Sequence, residues 1–408
     1  MRLGRAYNTA LEDREAMLSS PSQSHHLQRI FALTLIALAG FALLLANGCG
    51  MASSSMPQGT TTSFAFVTNS GSGTVSAFAV SSTGMLSPVS GGLFPSGAGA
   101  EFLAFDSIHK LLFVSNQNDG TVSAFSVNAA TGMLTAAPGS PFATGARPTA
   151  IAVDPMGRFV FVANQAGDSI SAFIIAANGA LSPAPGSPFT AGNPFGLAVN
   201  PAGTVLFASN FPDSQTSDLN TVSSFQIGAS GALTPVSGSP FSTASSAGFA
   251  SSLGLASDPA GKFLFVGDHM AQAIVPFSID SAGALTPVSA LPAAAPGCTV
   301  SCHNNPLRLA VHPNNQFLYA TNVQAGTLSA FKLTNGALSS IAEVPTGQHP
   351  FGIAIDPTGA FLFVANKVDN SVSAFSINLS TGVASPITGS PFTGSMNAPT
   401  DIVVIPRQ

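Results

Sequence analysis

The stretch that decides the fold runs from Pro350 to Asn366 and reads PFGIAIDPTGAFLFVAN. It is followed by the alternating run SVSAFSI at 371–377 and by GSPF at 389–392. Similar pieces occur at 148–164, 169–175 and 186–189, and weaker copies fill the chain between them. A repeat of this length, with several short strand-like runs in each copy, indicates a propeller or another array of similar units.

Seven copies can be counted from two positions. A phenylalanine ends the third run of each copy, at Phe78, Phe125, Phe173, Phe225, Phe277, Phe331 and Phe375, at intervals of 44 to 54 residues. A polar residue ends the second run, at Asn69, Asn116, Asn164, Asn210, Asp268, Asn322 and Asn366. Each copy has four runs of strand length parted by Gly, Pro, Asn and Asp, as at 151–153, 159–163, 170–175 and 180–183. Four strands per copy predict the blades of a β-propeller.

The two ends of the repeat region are incomplete in a complementary way. The chain enters the repeat at 64–69, a second strand without a first, and leaves it at 401–406, a first strand without a second. Pairing these two segments completes a blade and removes the open sheet edges. The sequence therefore predicts an all-β, seven-bladed β-propeller over residues 63–406, with four antiparallel strands per blade and closure by the N- and C-terminal strands.

The connections between strands sort onto two rims. First-to-second strand connections are Asp-Pro-x-Gly turns, at 154–157, 258–261 and 356–359, and they define what we call the turn rim. The opposite, variable rim carries the second-to-third loops and the blade-to-blade loops, with insertions at 211–220 and 290–305. We expect function on the variable rim or in the channel mouth beneath it. His109 and His312 fall in turn-rim connections, so we expect them to be turn residues.

Composition excludes several classes of function. Charged residues make up 7% of the chain and the formal net charge is −5, with no basic run, which argues against a nucleic-acid partner. No nucleophile elbow, phosphate loop or calcium ladder is visible, so we expect neither a cofactor nor a metal. With no Trp and two Tyr, a sugar-binding platform built from those residues is poorly supplied. We expect a monomer.

The N-terminal segment is typical of an export signal. Arg29 precedes an apolar run over residues 30–46, which is followed by Asn47, Gly48 and Cys49. The small residue before Cys49 resembles a bacterial lipoprotein processing site. We therefore expect residues 1–49 to form a signal peptide ending at a lipidated Cys49, and residues 50–62 a polar tether. The alternative is plain secretion with Cys49 removed or inert, and translation from Met17 is a second possible start.

The two remaining cysteines lie close together in a rim insertion. Residues 297–303 read Gly-Cys-Thr-Val-Ser-Cys-His, so Cys298 and Cys302 predict a small disulfide in an exported protein. A metal site using both cysteines and His303 would lack a visible fourth ligand. Haem attachment would need two residues between the cysteines instead of three.

Candidate ligand-binding residues come from the loops of the variable rim. His349 and His303 each lie just before an innermost strand, and His269 lies on a second-to-third loop. Comparable places around the expected channel mouth hold Glu101, Arg147, Asn193, Asn304 and Asn397. A histidine could act as a general base and an arginine could bind an anion. A mixed polar ring is also what any seven-bladed channel contains.

The repeat resembles a known family. The runs FLFVAN at 361–366, SVSAF at 371–375 and PFGIAI at 350–355 are similar to the Tyr-Val-Thr-Asn type of propeller repeat. The chain from about residue 63 to 406 resembles the seven-bladed lactonase-like propellers, which include 6-phosphogluconolactonase and carboxymuconate-lactonizing enzymes. Enzymatic members carry Arg-His before an innermost strand and a Glu after a strand ending in Asn. Here Leu307 and Arg308 occupy the first two places and Val323 the third.

These observations favour a binding function over catalysis. We expect an exported, lipid-anchored propeller of the cell envelope that presents its variable rim to an unknown small molecule or envelope protein, and that meets the membrane only through its lipid. The alternative is a lactone hydrolase in which His349 or His303 activates water and Arg308 or Arg147 holds the substrate carboxylate. A structural role in a surface layer is a second alternative, suggested by the repetitive, weakly charged exterior.

Lipidation gives the first testable prediction. Cells expressing the full chain and labelled with radioactive palmitate should incorporate the label into this protein. Cys49→Ala should lose the label, because the thiol is the acceptor. Label retained in Cys49→Ala would contradict the prediction, while Cys298→Ala serves as the matched control and should keep it.

Overall fold

A computed structural model describes residues 60–211, 221–243, 252–268, 272–288, 291–292 and 306–408. These residues form seven β-sheets, each with a four-strand antiparallel path. The predicted seven-bladed propeller is confirmed. In the part of the chain that is described, no helix combines the length and the apolar character needed to cross a bilayer. The predicted signal peptide and almost all of the tether lie outside the described residues.

The strands follow one another blade by blade. The chain begins with the three outer strands of blade 1, which are β1 (Thr61–Asn69), β2 (Thr74–Ser81) and β3 (Leu86–Pro95). Blade 2 comprises β4 (Ala100–Asp106), β5 (Leu111–Asn116), β6 (Thr121–Asn128), β7 (Met133–Ala136) and β8 (Phe142–Ala143). Blade 3 comprises β9 (Pro148–Val153), β10 (Phe159–Asn164), a 3₁₀ turn (Gln165–Gly167), β11 (Ser169–Ile175), β12 (Leu181–Pro183) and β13 (Phe189–Thr190).

The other half of the ring repeats this order. Blade 4 comprises β14 (Pro194–Val199), β15 (Val205–Asn210), β16 (Thr221–Ile227), β17 (Leu233–Pro235) and β18 (Phe241–Ser242). Blade 5 comprises β19 (Ser252–Ser257), β20 (Phe263–Asp268), β21 (Ala273–Ile279), β22 (Leu285–Pro287) and β23 (Leu291–Pro292). Blade 6 comprises β24 (Pro306–Val311), β25 (Phe317–Asn322), β26 (Thr327–Thr334) and β27 (Ala337–Pro345). Blade 7 comprises β28 (Pro350–Ile355), β29 (Phe361–Asn366), β30 (Ser371–Ile377), β31 (Ala384–Pro386) and β32 (Phe392–Thr393), and β33 (Pro399–Pro406) follows.

The ring closes through β33. This last strand pairs antiparallel with β1, and the register runs from Ser63 opposite Pro406 to Thr68 opposite Asp401. β33 is therefore the innermost strand of blade 1, as the incomplete ends of the repeat predict. β1 begins at Thr61, two residues before the predicted start of the propeller, because Thr61 pairs with Ser81.

The core consists of seven separate hydrophobic clusters, one between each pair of neighbouring blades in the described residues. The seven repeated phenylalanines all lie in these clusters and are at most 5% exposed. Burial of one such ring contributes about 2–3 kcal/mol of transfer free energy. The prediction that these residues are core is confirmed, and each blade is held chiefly by its two neighbours.

In six of the seven blades a buried asparagine ends the second strand at the variable rim, and blade 5 has Asp268 there. The Asn366 Nδ2 donates to the hydroxyls of Ser371 and Ser373 at 3.0 and 2.9 Å, and its Oδ1 accepts from the Gly347 amide at 3.1 Å. The same amide-to-hydroxyl pair recurs at Asn69, Asn116, Asn164, Asn210 and Asn322. One side chain therefore joins the incoming loop to the third strand.

The turn rim is closed by short hydrogen-bonded turns. In the turn after β9 the Asp154 carboxylate accepts from the Arg158 backbone amide and side chain, at 3.1 and 2.7 Å. The His109 Nδ1 lies 2.7 Å from Asp106 Oδ2, and the His312 Nε2 lies 2.9 Å from the Gly359 carbonyl of blade 7. Both histidines belong to turns, as predicted.

The buried asparagine yields a stability prediction. Asn366→Ala should lower the free energy of unfolding by about 2–3 kcal/mol, because three hydrogen bonds are lost and two hydroxyls are left under-satisfied. Urea unfolding followed by circular dichroism would measure it. Asn118→Ala is the matched control, since Asn118 is exposed and its side chain has no hydrogen bond among the described residues, and it should stay within about 0.5 kcal/mol. Equal midpoints for the two variants would contradict the assignment.

Candidate functional site

All seven innermost strands are distorted at the same place, where they begin on the variable rim. Each shifts its register within its first few residues. The second residues of these strands, which fall in this irregularity, are Glu101, Thr149, Phe195, Leu253, Leu307, Phe351 and Thr400. A bulge bends a strand and redirects its side chains. The channel mouth is therefore lined by residues that do not follow regular strand alternation.

Phe102 closes the centre of the mouth. It is 1% exposed, and its ring contacts Phe195 edge-on at 5.8 Å and Phe351 at 6.2 Å between centroids. Because these rings come from blades 2, 4 and 7, the contacts cross the channel. Phe211, which follows β15, extends the cluster with a contact to Phe195 at 5.9 Å. We call these four residues the aromatic floor.

An ion pair lies across this floor. The Arg308 Nη2 donates to Asp401 Oδ2 at 2.9 Å, and the guanidinium carbon lies 4.5 Å from the Phe102 centroid. The Leu103 amide donates to the same Asp401 oxygen at 3.2 Å. Arg308 comes from blade 6 and Asp401 from blade 1, so the pair joins two blades that are separated by blade 7. The arginine that the sequence offers as a substrate clamp is already engaged.

Glu101 is the most unusual group at the mouth. It is 8% exposed, and its carboxylate accepts no hydrogen bond and forms no ion pair within the described residues. Burial is the main cause that raises the pKa of Glu101; Lys367 opposes the rise, Asp401 adds to it, and Arg308 and Arg147 also oppose it. Burial likewise raises the pKa of Asp401, against the opposing effect of Arg308. A carboxyl in this setting can act as a proton donor or acceptor.

Threonine hydroxyls hold the strand that carries Glu101. Thr68 and Thr400, both from blade 1, donate to the Glu101 backbone carbonyl at 3.0 and 2.8 Å. The Asp401 amide donates to the Thr68 hydroxyl at 2.9 Å. The irregular backbone at Glu101 and Asp401 is therefore fixed by hydrogen bonds, and the positions of the two carboxylates follow from it.

A second ring of candidate residues lies just before the innermost strands. Arg147, Asn193, His349 and Ala398 all have positive φ, between 44° and 54°. The Arg147, Asn193 and His349 carbonyls accept from Gln165, Phe211 and Lys367, which immediately follow the buried asparagines. Arg147 and His349 are exposed and Asn193 is half-buried. Three predicted residues thus occupy equivalent places, and His349 adjoins Lys367.

The other predicted residues differ in placement. Glu101 lies inside β4, two residues after the position that corresponds to Arg147 and His349 in their blades. Asn397 lies one residue before the corresponding position, Ala398, and its backbone amide donates to Asn69 Oδ1 at 3.3 Å. His269, Cys298, Cys302, His303, Asn304 and Cys49 fall outside the described residues, so the disulfide, the lipidation and the roles of these side chains remain predictions. Within the described ranges, His, Cys, Asp and Glu form no group that could hold a metal ion.

Several residues of the channel mouth were not predicted as site residues from the sequence. Lys367 lies 5.0 Å from the Phe351 centroid and makes no salt bridge among the described residues. Phe102, Arg308 and Asp401 occupy the third position of their innermost strands, where the other four blades hold Gly or Ala, and this difference was the available signal. Gly352 shows what the small residues do, because a Cβ there would lie 2.5 Å from the Asp401 Cα. The innermost strands of blades 7 and 1 therefore approach closely at this glycine.

Comparisons with known proteins agree with this architecture. The family model described as lactonase, 7-bladed beta-propeller, matches residues 55–249 and 254–398, which confirms the resemblance seen in the repeats. No curated protein sequence matches the chain.

Solved structures with the same fold include two proposed 6-phosphogluconolactonases. The one from Bacteroides uniformis has a TM-score of 0.72 at 21% identity and covers 85% of this chain and 100% of its own. The one from Bacteroides fragilis has a TM-score of 0.71 at 22% identity and covers 85% and 98%. The periplasmic gluconolactonase of Pseudomonas aeruginosa has a TM-score of 0.67 at 17% identity and covers 85% and 100%. At these identities the likeness concerns the fold.

The buried carboxyl of Glu101 predicts a pH-dependent stability difference. A raised pKa in the folded state means that ionisation of Glu101 destabilises the fold, so its contribution is present at low pH and lost as the pH rises through the folded pKa. Glu101→Gln should therefore be more stable than the parent at about pH 8 and lose this advantage at about pH 4. Urea midpoints at both pH values would measure it. A difference that does not change with pH would contradict the assignment.

Proposed function

Because the chain belongs to the seven-bladed lactonase propeller family, we propose that it is an exported, lipid-anchored propeller that binds a small molecule at the channel mouth of its variable rim. One observation carries the proposal. In a chain with 7% charged residues, four charged side chains (Arg147, Arg308, Lys367 and Asp401) lie close enough to Glu101 to influence its pKa, and Arg308 and Lys367 also lie over rings of the aromatic floor.

We expect these charged groups at the mouth to contribute little to the stability of the fold. A buried ion pair often contributes no more stability than well-packed apolar residues of similar volume. A buried carboxyl without a partner lowers stability further. The threonine and glycine neighbours nevertheless hold Glu101 and Asp401 in place. Ionisable groups held at a cost to stability are typical of binding or catalytic sites.

Export and lipid anchoring rest on the N-terminal sequence. The apolar run before Cys49 and the lipoprotein-like processing site support them. In that arrangement the polar tether would let the propeller stand clear of the membrane surface, and the mouth would meet solutes of the envelope.

Lactone hydrolysis is the second candidate function, and the Glu101 carboxyl is the observation that favours it. In this reaction the Glu101 carboxylate would take a proton from water as the water oxygen attacks the lactone carbonyl. The ring C–O bond would break, and the same proton would return to the departing alkoxide to give the hydroxy acid. Lys367 or Arg147 would hold the anionic part of the substrate, while His349 is the alternative base that the sequence suggests.

The two functions are separated by one experiment. The purified propeller would be tested against a panel of lactones, including a phosphorylated sugar lactone, and their open-chain acids. Ligand binding is read from thermal stabilisation, and hydrolysis from acid release in weak buffer. We expect at least one compound to raise the Tm and Lys367→Met to abolish that effect, with the exposed Lys332→Met as the control that retains it.

The outcomes lead to different conclusions. Turnover that falls about 100-fold or more in Glu101→Gln would establish the hydrolase and assign the base. Turnover that is unchanged in Glu101→Gln but lost in His349→Gln would give that role to the histidine. Stabilisation without turnover would establish binding alone. If no member of the panel stabilises the folded protein or is hydrolysed, and no aryl or short acyl carboxylate binds either, the small-molecule site is wrong, and protein partners of the rim would be tested next.

A further inference from the structure

The aromatic floor is the first observation on ligand class. Phe195, Phe211 and Phe351 are half-buried, so their rings are partly open to solvent at the mouth, while Phe102 beneath them is closed off. Phenylalanine offers an apolar surface and no hydrogen-bond donor or acceptor. Such a floor favours the carbon body of a flat or apolar molecule over a polyhydroxylated one.

The cations at the edge of the floor are the second observation. Lys367 and Arg147 make no salt bridge in the described part of the chain, whereas Arg308 is paired with Asp401. Lys367 lies over the Phe351 ring, so its ammonium group borders the apolar surface. A ligand on the floor would place an acidic group beside an uncommitted positive charge.

The third observation is the unpartnered Glu101. Its carboxyl is nine-tenths buried and interacts electrostatically with Lys367 and Arg147. In its neutral form it is a hydrogen-bond donor that a ligand carboxylate would satisfy, and in its ionised form it would repel that carboxylate. Glu101 therefore couples the binding of an acid to pH.

From this arrangement we infer that the ligand is a compact amphipathic organic acid, with its carbon body on the Phe195–Phe351 part of the floor and its carboxylate between Lys367 and Glu101. The inference rests on the proposed small-molecule site and narrows its chemical class. Aryl carboxylates and short acyl carboxylates fit the class. Sugar acids do not, because the floor itself offers no partner for their hydroxyl groups.

Fluorine NMR tests the class directly. 4-Fluorobenzoate is titrated with the purified propeller, and 4-fluorobenzyl alcohol serves as the uncharged probe of the same shape. For a probe of this size we expect a Kd on the order of 1 mM for the acid and at least about tenfold weaker binding of the alcohol. Hexanoate should displace the acid, and gluconate, which carries the same charge but many hydroxyls, should not.

Variants locate the two ends of the ligand. Lys367→Met should weaken 4-fluorobenzoate binding about tenfold or more and leave the alcohol unaffected, while Lys332→Met should change neither. Phe351→Leu should weaken both probes, because the aromatic surface is lost while most of the apolar volume is kept. Equal effects of Lys367→Met and Lys332→Met would overturn the placement of the carboxylate.

The pH dependence tests the role of Glu101. The charged groups facing it are Lys367, Asp401, Arg308 and Arg147, and His349 lies beside Lys367. Affinity for 4-fluorobenzoate should fall as the pH rises through the titration of Glu101. The dependence should be lost in Glu101→Gln and retained in His349→Gln. Retention in Glu101→Gln would remove Glu101 from the site.

Failure of this inference can be told apart from failure of the small-molecule site. Gluconate or a lactone that binds in a Lys367-dependent way, while 4-fluorobenzoate does not, would overturn the ligand class and leave the site intact. Absence of binding by both 4-fluorobenzoate and hexanoate at tens of millimolar would also overturn the class. In that case the panel of lactones and acids tests independently whether the mouth binds a small molecule at all.

Discussion

The structure depends on one repeated interaction, the buried asparagine amide that ends the second strand in six of the seven blades. Its Nδ2 binds two hydroxyls of the third strand, and in blades 3 and 7 its Oδ1 binds the loop that leads into the innermost strand, at Gly145 and Gly347. The amide has both donors and acceptors, so in these two blades one side chain binds groups on two other segments at once. The residue after each asparagine is thereby fixed at the variable rim, and Lys367 and Phe211 owe their positions to it.

The site arises where this regular framework meets the strained start of the innermost strands. The register shift there recurs in every blade, so it belongs to the fold and carries no chemistry by itself. What each blade can contribute to a site depends on which side chain stands at this register shift. The Thr149 hydroxyl donates a hydrogen bond to the Phe195 carbonyl of the next blade at 3.0 Å. The Glu101 carboxyl, at the equivalent position, makes no hydrogen bond within the described residues. The same backbone position therefore serves structure in one blade and is available for a ligand in another.

The fold could be predicted from the sequence because each blade repeats the same physical solution. The Asp-Pro-x-Gly turns, the buried Phe and Asn positions and the incomplete ends each constrain the chain locally, and they agree with one another. Boundaries were less accurate. The innermost strand of blade 3 starts at Pro148 and not at Ile151, because its first residue already pairs with Asn164 before the register shift.

The site could be predicted only in part, since its contacts cross the channel. Sequence patterns placed Glu101, Arg147, Asn193 and His349 on the correct rim, because that requires only the order of strands. The pairing of Arg308 with Asp401 joins residues 93 positions apart in two blades that are not adjacent in the ring. No local pattern encodes that distance.

The Arg308–Asp401 pair also bears on the positions where this chain departs from the family's enzymatic motif. Losing the motif residues does not remove every charged group that could meet a ligand at the mouth. Arg308 already donates to the buried Asp401 carboxylate and lies over the Phe102 ring, so it is less available to a second anion than a cation that makes no salt bridge. Under the proposed function, recognition of an anion would fall to Lys367 and Arg147, which make no salt bridge within the described residues. Under that proposal the mouth keeps the family's scaffold, while the cation that would meet the ligand lies in another blade. In a propeller this change needs no rearrangement of the backbone, because every blade presents an equivalent position to the same channel.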